Sequence, residues 1–169
     1  MLTSLKESMA TYGPDVQAVL KALIEKWEDG SVKLYVTSKA LAYRGDNHML
    51  FMEGAYMPLT AEGELKDQVC GFGRQRDNKA VLVIVPRFMT QVSHFTVEVP
   101  FGEKVWGKTG IPLPDEISGN IFNNVLTGEK VKVIRRAGKR VLALADVFSC
   151  FPVAMLEGTM GLGFKKEPI

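Results

Sequence analysis

The hydrophobic residues follow a helical spacing early in the chain and a strand-like spacing later. From Val16 to Trp27 they recur mostly three and four residues apart, which places them on one helix face. A second helix is predicted from Ser31 to Arg44. From Gly54 onward, short β-branched runs separated by turn residues replace this period. The pattern therefore predicts a helical segment over residues 1–48 and a β-rich domain over residues 49–169.

The β-rich part contains many short runs that we interpret as strands. They cover residues 55–59, 68–74, 80–85, 95–99, 121–126, 130–134, 140–145 and 152–156. Short strands separated by such turn signals are typical of an antiparallel sandwich or barrel. The run VLVIV (81–85) is apolar at every position, which predicts a strand covered on both faces. The fold predicted is mainly β and antiparallel, with helices only at the start.

The glycines of GFGRQR (71–76) suggest a phosphate-binding loop, but the order of elements excludes one. Such a loop lies between a strand and a helix, so that the N–H groups of the helix point at the anion. Here the next element is another predicted strand. The segment is therefore interpreted as a β-hairpin with its turn at Asp77 and Asn78.

Composition indicates an ordinary globular domain without a strong electrostatic preference. The 169 residues are 46% hydrophobic and 24% charged, with a formal net charge of +2. That balance does not by itself indicate a membrane or a nucleic-acid partner. The densest basic cluster, RRAGKR (135–140), is interpreted as a solvated hairpin turn in preference to a phosphate-binding patch. With a pI of about 8.5, the cluster also leaves open a small basic nucleic-acid-binding β module as a weaker alternative.

No catalytic, metal or cofactor site can be defended from the residues. The two histidines and two cysteines lack the spacing of metal ligands, and no serine lies in a GxSxG turn. Cys70 and Cys150 are predicted to be buried free thiols in a reducing compartment. No signal peptide and no apolar run of about 20 residues is present, so the cytoplasm is the predicted location.

A series of motifs from about Trp27 to Leu156 resembles the C-terminal region of the malto-oligosyltrehalose synthases, members of the α-amylase superfamily. In order, they are WEDGSVKLYVTSKALAYR (27–44), LFMEGAYMPL (50–59), GFGR (71–74), VIVPRF (83–88), WGKTGIPLP (106–114), NVLTGE (124–129) and LALADVFSCFPVAML (142–156). Each motif is weak alone, but their order and spacing together are fairly specific. Lys108 in WGKT and the glycines of GFGR depart from what we expect of the family.

The resemblance implies a fold, a partner and a role. These enzymes are isomerases that convert the reducing-end α-1,4 bond of a malto-oligosaccharide into an α,α-1,1 trehalose linkage, by the chemistry of a retaining glycosidase. Their catalytic carboxylates belong to a (β/α)8 barrel that precedes this region and have no counterparts here. Residues 1–48 would then pack on that barrel, and residues 49–169 would form an amylase-type C-terminal β-sandwich without catalytic residues.

Four residues are candidates for contact with a sugar, each with a structural alternative. Tyr56 and Trp106 could stack on a sugar ring, although large aromatic residues more often anchor a core or an interface. Arg87 could bind hydroxyl groups, but pairing with a carboxylate or a barrel loop is favoured. Lys33 lies in the motif expected to be nearest the barrel. An independent carbohydrate-binding module that recognises malto-oligosaccharide remains an alternative, as does a homo-oligomer formed through the apolar face of the N-terminal helices.

Overall fold

A computed structural model describes residues 15–88, 101–117 and 119–159, with Thr159 described by its backbone alone. The predicted strand over residues 95–99 lies outside these ranges. None of the helices in the described part of the chain combines the length and the apolar character needed to cross a membrane.

The first described part of the chain is helical, as the hydrophobic spacing predicts. Helix α1 spans Val16–Glu25, and the Asp15 side chain caps it by accepting a hydrogen bond from the Ala18 amide at 3.1 Å. A single 3₁₀ turn, Trp27–Asp29, leads to α2, Ser31–Asp46. The predicted first helix therefore ends early, and Trp27 is 51% exposed instead of lying on the buried face. A third helix that the spacing did not predict, α3, spans His48–Glu53.

Nine strands in the described residues form two antiparallel sheets, which confirms the predicted fold class. The strands are β1 Ala55–Leu59, β2 Val69–Arg76, β3 Lys79–Pro86, β4 Gly110–Pro112, β5 Ile121–Asn124, β6 Lys130–Lys132, β7 Ile134–Arg136, β8 Lys139–Ala143 and β9 Ala154–Thr159. The larger sheet has the order β1-β2-β3-β9-β5-β6, and the smaller one has the order β4-β8-β7. Two short helices, α4 (Glu103–Trp106) and α5 (Leu144–Val147), lie between strands.

Both predicted hairpins are present. The β2–β3 ladder runs in register from the Val69–Pro86 pair to the Arg76–Lys79 pair, with Asp77 in the left-handed region at its turn. The basic cluster forms the β7–β8 turn, where Ala137 and Gly138 have φ values of 49° and 77°. Positive φ at both central residues is the geometry that matches the twist of a two-residue hairpin.

Three strand predictions need correction. The run over residues 130–134 is split, because β6 joins the larger sheet and β7 the smaller one, with Val133 between them. The run over residues 140–145 ends at Ala143, where α5 follows. The run over residues 121–126 ends at Asn124, where the chain turns.

Hydrophobic residues form two cores, one on each face of the larger sheet. Residues such as Leu82, Phe122 and Leu156 point toward the smaller sheet and pack with its Ile111 and Leu142. The opposite side, which we call the outer face, carries alternate residues such as Val81 and Met155 that pack against the helices. Val81, Leu82 and Ile84 are fully buried, so β3 is covered on both faces as predicted.

Candidate functional site

The helices cover β3 and β9 but leave part of the outer face open at β1 and β2. Tyr56 lies there and is 59% exposed. Its ring stacks on Phe72 with centroids 5.7 Å apart and an angle of 20° between the planes. The Arg74 guanidinium lies 5.4 Å from the Tyr56 ring centroid and donates a hydrogen bond to the Gly54 carbonyl at 2.9 Å. This arrangement holds an aromatic side chain in contact with solvent, next to a cation whose position is fixed.

Trp106, by contrast, is a core residue. It is 1% exposed and packs with Phe148 at a centroid distance of 4.9 Å, between the two sheets. A ring buried in this way has no face available to a sugar in this structure. Trp106 therefore anchors the core, which is the alternative that the sequence also offered. Of the two candidate aromatic residues, only Tyr56 has a ring that a ligand can reach.

Arg87 and Lys33 do not join Tyr56 in one site. Arg87 follows the end of β3, where its Nε donates to the Asp67 carbonyl at 2.7 Å and its guanidinium lies over the Phe88 ring. Tyr56 pairs with Arg74, and Arg74 pairs with Val81, so six residues of strand, roughly 20 Å, separate Tyr56 from Arg87. Lys33 is exposed on the first turn of α2. The candidate residues therefore do not converge on a single pocket.

Helix α2 has one buried side and one side open to solvent. Tyr35 and Tyr43 lie on the buried side, against the outer face of the larger sheet. The opposite side, which we call the open face, is exposed and mostly uncharged. It consists of Thr37, Ser38, Leu41, Ala42 and Gly45, with Lys33 and Arg44 at its border. Leu41 is 60% exposed. Three of the eight exposed residues of α2 are charged, namely Lys33, Arg44 and Asp46, and the open face is the uncharged remainder, on which Leu41 is the large apolar side chain.

The loop over residues 124–129, one of the resemblance motifs, joins α2 to the sheets. The Tyr35 hydroxyl donates to the Leu126 carbonyl at 2.7 Å in a buried setting. The buried Asn124 side chain accepts hydrogen bonds from the amides of Leu126 at 3.1 Å and Met155 at 3.4 Å. The Asn124 bonds hold the loop in place, and the Tyr35 bond joins the buried side of α2 to that loop. In the sequence, only the place of this loop among the resemblance motifs pointed to it.

The Glu129 carboxylate, at the end of that loop, accepts hydrogen bonds from two neighbouring residues. It accepts hydrogen bonds from the Ser149 hydroxyl at 2.9 Å and the Cys150 thiol at 3.1 Å. Burial, followed by the effect of Glu129, raises the pKa of Cys150 to about 12, so this thiol is not an activated nucleophile at neutral pH. The predicted burial of both thiols is wrong, because Cys70 is exposed on β2 and Cys150 is only partly buried. Within the described ranges, no three His, Cys, Asp or Glu side chains group closely enough to hold a metal ion.

These elements define a mainly β domain of two antiparallel sheets, with helices packed on one of them. It matches the structure of a mutant maltooligosyltrehalose synthase from Arthrobacter ramosus with a TM-score of 0.56 and 23% identity. The match covers 86% of this chain but only 16% of that synthase, so the chain spans a small part of that enzyme's length. A maltogenic α-amylase from Thermotoga neapolitana is matched with a TM-score of 0.45 and 10% identity, over 67% of this chain and 22% of that one. No protein-family model and no curated protein matches the sequence.

Proposed function

We propose that this chain is a non-catalytic domain of a larger enzyme related to malto-oligosyltrehalose synthase, and that its helices pack on the catalytic barrel of that enzyme. The order of the sequence motifs and the fold match to part of such a synthase support the proposal. In this role the chain supplies no catalytic carboxylate. Its contribution is to cover apolar surface of the barrel and to hold α2 in a fixed orientation.

The open face of α2 is the observation that carries the proposal. The residues that make up this face are uncharged, and burying the exposed 60% of Leu41 would contribute about 1–2 kcal/mol. The small side chains of Ser38, Ala42 and Gly45 allow another helix to approach closely, since the distance between helix axes depends on the side chains at the contact. Lys33 and Arg44 at the border would meet carboxylates of the partner.

Incubation with maltopentaose tests the non-catalytic part of the proposal. The purified chain is mixed with the sugar, and reducing ends and products are followed over hours. We expect no loss of reducing ends, because no set of catalytic groups can be identified in this chain. Formation of a non-reducing, trehalose-ended oligosaccharide by the chain alone would overturn the assignment. A parallel incubation with a complete maltooligosyltrehalose synthase shows that the assay detects the product.

A second candidate function, an independent carbohydrate-binding module, is favoured by the exposed Tyr56. Calorimetric titration with maltopentaose distinguishes a carbohydrate-binding module from the domain proposed above. The unmodified chain is compared with Tyr56→Ala and with the matched control variant Phe88→Ala. The two aromatic residues are 59% and 57% exposed, and each has an arginine near its ring. Saturable heat that is lost only in Tyr56→Ala would support a sugar-binding module. Heat no greater than dilution in the unmodified chain would remove this candidate and leave the first proposal intact.

A further inference from the structure

The proposed function leaves the basic hairpin RRAGKR (residues 135–140) without a role. In the structure, its guanidinium groups hold neighbouring loops. Hydrogen bonds run from Arg140 to the carbonyls of Ile117 and Gly119, and from Arg136 to the carbonyl of Lys108. These cations are therefore fixed by the fold and are not free to follow the backbone of a nucleic acid. Two of the four cations of the hairpin are held in this way, and their fixed positions favour a small site for an anion.

A cleft of about 250 Å³ opens beside the hairpin and is lined by an excess of positive charge. Lys108, Arg136 and Lys139 line it, against the single carboxylate of Glu62. Three cations and one anion leave an excess of two positive charges at the cleft. Such a concentration of one sign in a concave site attracts anions from solution.

The cations of the cleft differ in how firmly they are held. Arg136 uses one amino group for the Lys108 carbonyl, which orients a guanidinium that has other N–H groups to donate. Lys139 is paired with Glu62 at 2.6 Å, but both side chains are more than half exposed. Exposed ion pairs of this kind contribute little to stability, so an entering anion can compete with Glu62 for the ammonium group. The exposed Lys108 side chain adds a third cation at the rim.

We propose that this cleft binds the phosphate group of a small phosphorylated ligand, with Arg136, Lys139 and Lys108 as its cationic contacts. A guanidinium fork and ammonium groups suit the doubly charged, oxygen-rich phosphate better than a carboxylate. The volume lies just below the usual range for small-molecule sites, about 300–1,000 Å³, so the cleft suits a phosphate group with a small organic part. Pro112 and Val141 line the same cleft and would contact the organic part of such an ester.

Amide NMR titrations of the full 169-residue chain at low ionic strength test the site. The probes are inorganic phosphate, glucose 6-phosphate, and glucose as the uncharged control. The variants are Lys108→Gln, Arg136→Gln and the matched control Arg135→Gln, which removes one charge from the same hairpin but does not line the cleft. Lys108→Gln keeps the main-chain carbonyl that Arg136 binds, so a folding defect in Arg136→Gln would not end the test.

We expect saturable shifts centred on Ala137 and Gly138 with both phosphate probes and none with glucose. Lys108→Gln should weaken binding roughly three- to tenfold, while Arg135→Gln should change it less than about twofold. Tighter binding of glucose 6-phosphate than of inorganic phosphate would identify a phosphate monoester as the ligand, and equal binding would identify free phosphate. Equal weakening in Lys108→Gln and Arg135→Gln, or no saturation below about 50 mM, would overturn the proposal.

Discussion

Two tyrosines on the buried side of α2 have hydroxyl groups in different settings. Tyr35 is 2% exposed, and its hydroxyl is bonded to the Leu126 carbonyl. Tyr43 is 8% exposed, and among the described residues its hydroxyl has no partner within hydrogen-bonding distance. Burial, with a smaller contribution from the nearby Glu157 carboxylate, raises the pKa of Tyr43 well above its usual value. Only the first hydroxyl therefore connects the helix to a loop.

Removal of each hydroxyl should have a different effect on stability. Tyr35→Phe leaves the buried Leu126 carbonyl without its partner, so the free energy of unfolding should fall by about 1–2 kcal/mol. Tyr43→Phe removes a hydroxyl without a hydrogen-bond partner and should change stability by less than about 0.5 kcal/mol, or raise it slightly. Urea denaturation followed by tryptophan fluorescence measures both. Equal losses in the two variants would show that the Tyr35 hydrogen bond does not stabilise the junction.

At the scale of elements, a close contact between β9 and β5 depends on a glycine. A Cβ atom added at Gly158 would lie 2.4 Å from Cε1 of Phe122, which is itself almost fully buried. The two strands of the larger sheet pack with no space for a methyl group at this point. Gly45, near the end of α2, is the opposite case, because a Cβ atom there would have nothing within 4 Å.

The same substitution should therefore change stability in opposite directions at these glycines. Gly158→Ala should lower the free energy of unfolding by about 1–3 kcal/mol, because Phe122 or the backbone must move. Gly45→Ala should raise it by about 0.5–1 kcal/mol, because alanine loses less backbone entropy than glycine in a helix. Thermal unfolding of both variants beside the unmodified chain gives the comparison. A gain in stability from Gly158→Ala would mean that the two strands are less tightly packed than described.

The elements show where local sequence determines structure and where it does not. The hairpin over residues 71–86 and the start of α2 depend on local turn residues and spacing, and both were predicted. The split of the run over residues 130–134 was not predicted, because Val133 bonds to the carbonyl of the distant Asn120 and its sequence carries no break. The different exposures of Tyr56 and Trp106 have a similar cause, since both are large amphipathic aromatics and tertiary packing alone decides their burial.

At the scale of the whole molecule, the open face of α2 should promote self-association when no other partner covers it. Exposed apolar surface such as that of Leu41 favours contact between two copies of the chain. We expect a concentration-dependent dimer in light scattering. Leu41→Glu should shift it to monomer without lowering the melting temperature, since the side chain is exposed.

Ile121→Glu provides the control for that experiment. It introduces the same charge at a residue of similar exposure, 52% against 60% for Leu41, but on a strand instead of α2. The dimer should persist in this variant. A monomer at all concentrations in the unmodified chain, or equal dissociation in both variants, would contradict association through α2.

The single residue Val133 between β6 and β7 has a consequence for how the domain unfolds. Because the chain passes from the larger sheet to the smaller one within one residue, neither sheet can separate without disturbing the other. The two sheets also share one core, in which Ile111 and Leu142 pack against Leu82 and Leu156. The sandwich is therefore expected to open as one cooperative unit. Amides in both sheets should then have similar free energies of opening in hydrogen exchange.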